Sequence, residues 1–161
     1  ARVIPFFDEP TKGGVFAGHA VPAVSGFEGD EVRWVRLPAR KDTLPYPTGF
    51  RGDVVVSFTP FTVPEKTDPV FNIPNGTVVL SGGPVATTSG TFEVDGKKIT
   101  TDGNLRSLSI NRKNGLFTGK MLVGNKTLVF KGAINQGGGT GAGFVSIKGE
   151  TGSVELFRPI D

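Results

Sequence analysis

The stretch that decides the fold is residues 115–135, which reads GLFTGKMLVGNKTLVFKGAIN. Apolar and polar residues alternate on both sides of Gly124-Asn125, as expected of two β-strands that each bury one face. A two-residue connection containing glycine is typical of a tight hairpin, because glycine readily adopts the positive φ that such turns require. Residues 115–123 and 126–134 therefore predict an antiparallel pair of strands.

The same alternation continues along most of the chain. Asp95-Gly96 between two such runs is a second hairpin signal, and no window of eleven or more residues shows the apolar stripe of a helix. The sequence predicts an all-β fold, an antiparallel β-sandwich or flattened barrel of about ten strands with Gly/Pro-rich loops and no substantial helix. The remaining strand candidates are residues 31–37, 53–59, 76–81, 90–94, 97–101, 105–111, 142–148 and 152–158.

The composition supports this prediction. Of 161 residues, 19 are Val, 7 are Ile and 16 are Thr, and such β-branched side chains suit a pleated sheet better than a helix. Glycine (24) and proline (12) supply the turns, and seven prolines between positions 38 and 74 favour loop and edge strand around 53–59. Because no apolar run approaches the roughly 20 residues of a membrane helix, we expect no membrane span.

A short internal similarity indicates how the domain is organised. Gly14-Val15-Phe16-Ala17-Gly18 matches Gly115-Leu116-Phe117-Thr118-Gly119, and each copy is followed by a glycine, a strand, an arginine and a proline. The second copy contains an extra hairpin, residues 126–149. The predicted organisation is an N-terminal arm over 1–12 and a single β domain over 13–161, with a degenerate repeat formed by 13–38 and 115–159.

The glycines and aromatic residues of the second copy form a signature with a known counterpart. It consists of Gly115, Phe117, Gly119, Phe130, Gly132, Gly141, Gly143, Phe144, Gly152, Ser153 and Val154. The signature resembles a β-rich C-terminal module of large secreted bacterial proteins built from immunoglobulin-like or fibronectin-like repeats. The segment from Val32 to Phe50 is similar to what precedes the signature in those proteins. The resemblance covers roughly residues 13–159, brings no catalytic residues, and implies an extracellular or cell-surface structural or adhesive module.

The residue types needed for common active sites are scarce. The chain has no cysteine, which excludes disulfides and thiolate chemistry. Its single histidine, His19, alternates with apolar neighbours, which favours a strand position over a catalytic base. Glu28, Asp30 and Glu31 form the densest acidic cluster, but they lack the spacing of a calcium loop and indicate a solvated loop, with a weak surface calcium site as the alternative. We therefore expect no enzymatic activity, no cofactor and no metal site.

Positive charge is concentrated in one part of the chain. Residues 96–148 hold nine Lys or Arg against Asp102 alone, whereas residues 1–95 hold eight basic and eleven acidic residues. Such a stretch can form the solvated faces of strands, meet an anionic partner or support a head-to-tail contact between copies. Nucleic acid is not the expected partner, because the aromatic residues here occupy core-like alternating positions. The candidate basic patch comprises Lys97, Lys98, Arg112, Lys113, Lys120, Lys126 and Lys131.

Two further groups of residues suggest binding. Val3, Ile4, Phe6 and Phe7 in the arm are candidate anchors that either dock on the sheet edge of a neighbouring copy or fold back on their own domain. The sequence thus predicts a non-enzymatic extracellular structural or adhesive protein, a self-assembling filament or matrix subunit whose partner is another copy or another surface protein. The alternative is a carbohydrate-binding module that contacts a polysaccharide through Trp34, Tyr46 and Phe50; a glycosidase with paired carboxylates is more remote.

Overall fold

The fold consists of β-strands throughout the part that the structure describes. The structure is a computed structural model that describes residues 6–9, 14–17, 21–23, 26–38, 48–66, 68–70, 73–147 and 150–158. Within these ranges there is no helix, and hence none long and apolar enough to cross a membrane. The chain forms two compact units, residues 1–60 and residues 61–161. The predicted all-β class is confirmed.

The first unit is a five-stranded antiparallel sheet built around one long strand. Its strands are β1 (Phe6–Glu9), β2 (Gly14–Ala17), β3 (Val21–Ala23), β4 (Gly26–Arg36) and β5 (Phe50–Phe58). The two short strands β2 and β3 pair with successive parts of one edge of β4, and β5 pairs with its other edge. β1 pairs with β2 alone, so it is the outermost strand on that side.

The second unit is an eight-stranded antiparallel sheet that is nearly closed into a barrel. Its first strand in sequence, β6 (Asn75–Gly82), pairs with its last strand, β13 (Glu150–Phe157). The two edges of the sheet are therefore β8 (Lys98–Gly103) and β9 (Leu105–Ile110). These strands follow each other in sequence and approach without pairing; we call the gap between them the seam. The strands are β6 (Asn75–Gly82), β7 (Val85–Asp95), β8 (Lys98–Gly103), β9 (Leu105–Ile110), β10 (Leu116–Val123), β11 (Lys126–Asn135), β12 (Thr140–Ile147) and β13 (Glu150–Phe157), in the spatial order β8-β7-β6-β13-β12-β11-β10-β9.

The core of the barrel depends on a reciprocal pairing of phenylalanine and glycine. Phe117 on β10 lies opposite Gly132 on β11, and Phe130 on β11 lies opposite Gly119 on β10. Each ring covers the glycine of the neighbouring strand, and the two rings meet edge to face with centroids 6.1 Å apart. Both rings are buried, so Gly119 and Gly132 leave the space that these two aromatic side chains fill.

The predicted strands all have counterparts in the structure. The ten candidates correspond to β4 through β13, with ends that differ by a few residues, and three short strands, β1 to β3, precede them. The positive φ expected at turn glycines is confirmed for Gly96 (56°) and Gly115 (70°). The loop of the β7–β8 hairpin is Gly96-Lys97 rather than Asp95-Gly96, because Asp95 is itself paired with Lys98.

The division into compact units falls after Pro60. The domain organisation expected from sequence, an arm over 1–12 and a single β domain over 13–161, stays a prediction. The described part of the arm, Phe6–Glu9, pairs with β2 of its own chain. In the first repeat copy β2 pairs directly with β4, and in the second copy the extra hairpin places β11 and β12 between β10 and β13. The repeat itself stays a prediction.

Candidate functional site

An aromatic pair lies on the sheet of the first unit, where the sequence had suggested glycan contacts. The rings of Trp34 on β4 and Phe50 on β5 meet edge to face, with centroids 4.7 Å apart. Trp34 is 43% exposed, and the residue opposite it on β5 is Gly52. The space beside Gly52 is empty, since a Cβ added to this glycine would meet no atom within 4 Å. The indole is therefore partly open to solvent. Tyr46, the third suggested contact, lies outside the described residues.

An ion pair joins the same two strands. The Arg33 Nε donates a hydrogen bond of 2.8 Å to Asp53 Oδ1, across directly opposed positions of β4 and β5. This hydrogen bond, and then the positive charge of Arg33, lower the pKa of Asp53, and Arg51 adds a smaller effect in the same direction. Sequence reasoning missed the pair because only the strand register brings residues 20 positions apart together. Since both side chains are exposed, the pair contributes mainly to the register of the sheet.

The structure divides the predicted basic patch into three groups. Lys97 and Lys98 in the β7–β8 hairpin lie at the same end of the barrel as Arg112 and Lys113, which connect β9 to β10. Lys126 begins β11 at the opposite end. The remaining two, Lys120 and Lys131, are exposed on the outer wall, because alternation directs them away from the buried Met121 and Phe130 beside them.

The outer wall around Lys120 and Lys131 combines positive charge with exposed apolar side chains. Lys131 lies opposite Phe144, which is 53% exposed, and Lys120 lies opposite Val129, which is 50% exposed. The sequence contains no Asp or Glu between Asp102 and Glu150, so strands β9 to β12 carry no acidic side chain. This wall is a basic and partly apolar surface open to solvent.

A cleft opens at the seam, at the end of the barrel that holds Lys97 and Arg112. It has a volume of about 140 Å³, and both of these cations belong to its lining. The Arg112 guanidinium also donates a hydrogen bond to the backbone carbonyl of Glu65, which holds it at the rim. The cleft was not predictable from the sequence, because its apolar lining residues alternate with polar ones as core residues do. That lining is formed by Val70, Val94, Ile99, Leu108 and Ile110.

The distribution of charge between the two units differs from the split seen along the sequence. Residues 1–60 contain seven basic and seven acidic residues, and residues 61–161 contain eleven basic and eight acidic ones. The excess acidity of residues 1–95 therefore belongs to residues 61–95, which are part of the same unit as the basic stretch. The contrast between an acidic and a basic half, on which the expected head-to-tail contact between copies rested, is therefore not a contrast between the two units.

The other candidates from the sequence are placed as follows. Val3, Ile4 and His19 lie outside the described residues, and Phe6 and Phe7 form part of β1. Among the residues that the structure describes, no three His, Asp or Glu side chains are grouped so that they could hold a metal ion. No protein-family model matches the chain, and neither a curated protein nor a solved structure matches it.

Proposed function

We propose that this chain is a non-enzymatic extracellular structural or adhesive module that assembles with further copies by strand addition. The observation that carries the proposal is that both sheets end in strands with no further partner in the described fold: β1, β3 and β5 in the first unit, and β8 and β9 at the seam of the second. An edge strand presents N–H and C=O groups that can pair with another chain. The resemblance of the sequence to modules of secreted repeat proteins supports the extracellular setting.

The edges belong to two different sheets, which determines what kind of assembly they can form. A contact between an edge of the first unit and an edge of the second unit of another copy is heterologous. Contacts of this type repeat from copy to copy, and they give a ring where the rotation closes and a filament where it does not. The proposal therefore predicts particles larger than dimers.

The test is the mass of the pure protein under native conditions. Light scattering coupled to size-exclusion chromatography, run over a wide range of concentration, should show a mass that rises with concentration. A protein lacking residues 1–12 should remain folded by far-UV circular dichroism and stay monomeric. A parent chain that is monomeric at every concentration, with residues 1–12 protected from protease, would exclude self-assembly.

Carbohydrate binding is the second candidate function, and the Trp34–Phe50 pair favours it. A half-exposed indole offers an apolar face together with a polar N–H, which is the combination found where one side of a ligand is apolar and the other hydrated. Glycan-array binding that Trp34→Ala abolishes would support this function. The matched control is Val55→Ala, a substitution at an exposed apolar residue of the same sheet that does not contact the pair. Equal loss in both variants, or no binding by the parent, would count against it.

A further inference from the structure

We propose that the seam of the barrel accepts β1 of a second copy as an added strand, with one phenylalanine in the cleft and its acidic end beside Lys97 and Arg112. This inference rests on the proposed assembly and names its two surfaces. It combines three features of the molecule: the backbone edge of β9, the apolar cleft beside it and the charges at its rim.

The backbone of β9 has hydrogen-bonding groups directed into the seam. Beyond the end of β9, the N–H of Asn111 donates to the carbonyl of Leu116 on the β10 side, at 2.7 Å. Successive residues of an antiparallel strand direct their backbone groups to opposite neighbours, so Leu108 and Ile110 direct theirs away from β10. On that side the described sheet has no strand paired with β9. These two residues offer the edge on which a strand can add.

The seam is held shut at one end and open at the other. At the closed end Asn104 joins β8 to β9; its carbonyl accepts a hydrogen bond from Leu122 N, and its side-chain amide donates to the Ser89 carbonyl. At the open end the cleft separates Ile99 of β8 from Ile110 of β9. Val94 and Ile99 pack against the core but remain partly exposed there, so an entering apolar side chain would cover them.

Lys97 and Arg112 set the charge of the segment that fits. Both line the cleft, and Arg112 is held in place by the Glu65 carbonyl. A segment that places apolar side chains in the cleft and carboxylates at its rim would pair with both cations, and a basic segment would be repelled. The seam therefore favours a short strand that is both apolar and acidic.

Among the edge strands in the described ranges, β1 alone has this composition. Its sequence is Phe6-Phe7-Asp8-Glu9, two apolar residues followed by two carboxylates. The other edge strands carry no net negative charge: β5 and β8 each hold one basic and one acidic residue, β3 holds no charged residue, and β9 holds Arg106. The β1 of another copy holds no positive charge that could attract these carboxylates, whereas the seam offers Lys97 and Arg112. The charges thus direct β1 to the seam of another copy rather than to its own equivalent.

The experiment reverses the charges of the seam in the full chain. Lys97→Glu with Arg112→Glu should weaken association by about tenfold or more, because opposed like charges are costly at an interface. The matched control is Lys98→Glu with Lys113→Glu, which makes the same change of net charge at the adjacent residues, neither of which lines the cleft. Combining the seam variant with Asp8→Lys and Glu9→Lys should restore assembly, because the pairing is then reversed on both sides.

Two additional measurements keep the outcome decisive. Val94→Phe narrows the cleft without changing charge and should also weaken assembly, which covers the case in which Arg112→Glu unfolds the chain. A labelled peptide of residues 1–12 should bind the variant that carries Asp8→Lys and Glu9→Lys. The peptide should no longer bind when Lys97→Glu is added to that variant.

Assembly that is equally strong in the seam variant and its control would overturn the seam as acceptor while leaving the proposed function standing. A monomeric parent whose seam still binds the peptide would overturn the proposed function and support the seam as a peptide site. A monomeric parent that binds no peptide would overturn both.

Discussion

The reciprocal pairing of phenylalanine and glycine predicts that one added methyl group will destabilise the barrel. A Cβ at position 119 would clash with the ring of Phe130 and would lie 2.7 Å from the Ser107 carbonyl oxygen. The ring has little room to move, because it is fully buried and rests against Phe117. Overpacking of this kind costs about 1–3 kcal/mol, so Gly119→Ala should lower the free energy of unfolding by that amount.

The control is Gly137→Ala, since a Cβ at position 137 would meet only Asn135 Oδ1, at 3.7 Å. A surface change of this kind should stay within about 0.5 kcal/mol. Urea unfolding followed by far-UV circular dichroism measures both variants; the single tryptophan lies in the first unit and cannot report on the barrel.

A double-mutant cycle tests the cause of the effect. Phe130→Ala alone should cost about 3–5 kcal/mol through the cavity that it leaves. In that background the methyl group of Gly119→Ala no longer meets the ring, and only its contact with the Ser107 carbonyl oxygen remains. Its cost should therefore fall, and the two changes should couple by about 0.5–3 kcal/mol. Effects that simply add would refute the argument that the glycine exists to accommodate the ring.

Three more predictions concern turns, charge and a loop. Gly96→Ala should lower the free energy of unfolding by about 1–2 kcal/mol through left-handed backbone strain alone. Gly115→Ala should lower it more, because its Cβ would also lie 2.7 Å from the Phe61 ring. The melting temperatures of the two variants test this order. The pKa of Asp53 is lowered in the folded protein. The stabilisation that ionised Asp53 contributes should therefore be complete above its unfolded-state pKa of about 3.9, and should be lost as the pH falls through its folded-state pKa. In a carboxyl NMR titration, Arg33→Gln should raise the folded-state pKa of Asp53. Gln136 accepts a 2.8 Å hydrogen bond from Thr62 N and donates to the Thr62 and Val70 carbonyls, so Gln136→Ala should cost about 1–3 kcal/mol and speed hydrogen exchange of the loop 61–70.

Several strands of the second unit were predictable because they alternate between a buried and an exposed face, most clearly β6, β10 and β13. In β10, for example, Phe117, Gly119 and Met121 point inward and Thr118 and Lys120 point outward, so the pattern of period two needs no tertiary information. The turn glycines are equally local, since a positive φ is a property of a single residue.

The strands of the first unit were harder to predict for local reasons. β1 and β3 have four and three residues, too few for an alternation to be recognised, and β3 contains Pro22. The first part of β4 escaped detection because the pairing with β5 shifts between Gly29 and Val32, and this irregularity interrupts the alternation.

The candidate sites depend on the pairing of distant strands, and this is why the sequence revealed only some of their parts. Trp34 and Phe50 were named from residue type, yet their contact follows from the register of β4 and β5. The basic residues were grouped by position in the chain, whereas the fold places Lys97 and Arg112 at one cleft and Lys120 on the wall. Side-chain type indicated what could bind, and strand register determined which residues act together.

The seam shows most clearly what a single sequence does not contain. Its closed end depends on Gly90, where a Cβ would lie 2.5 Å from the backbone nitrogen of Leu105, so only glycine lets the start of β9 cross β7 this closely. Leu105 is buried at this crossing, and Asn104 beside it is bonded to both neighbouring strands. No such crossing occurs at the other end, where β8 and β9 diverge and the cleft forms. The close approach therefore joins β9 to β7 at one end of the barrel, and at the other end no strand of the described residues pairs with the free edge of β9, which is the acceptor edge of the proposed assembly.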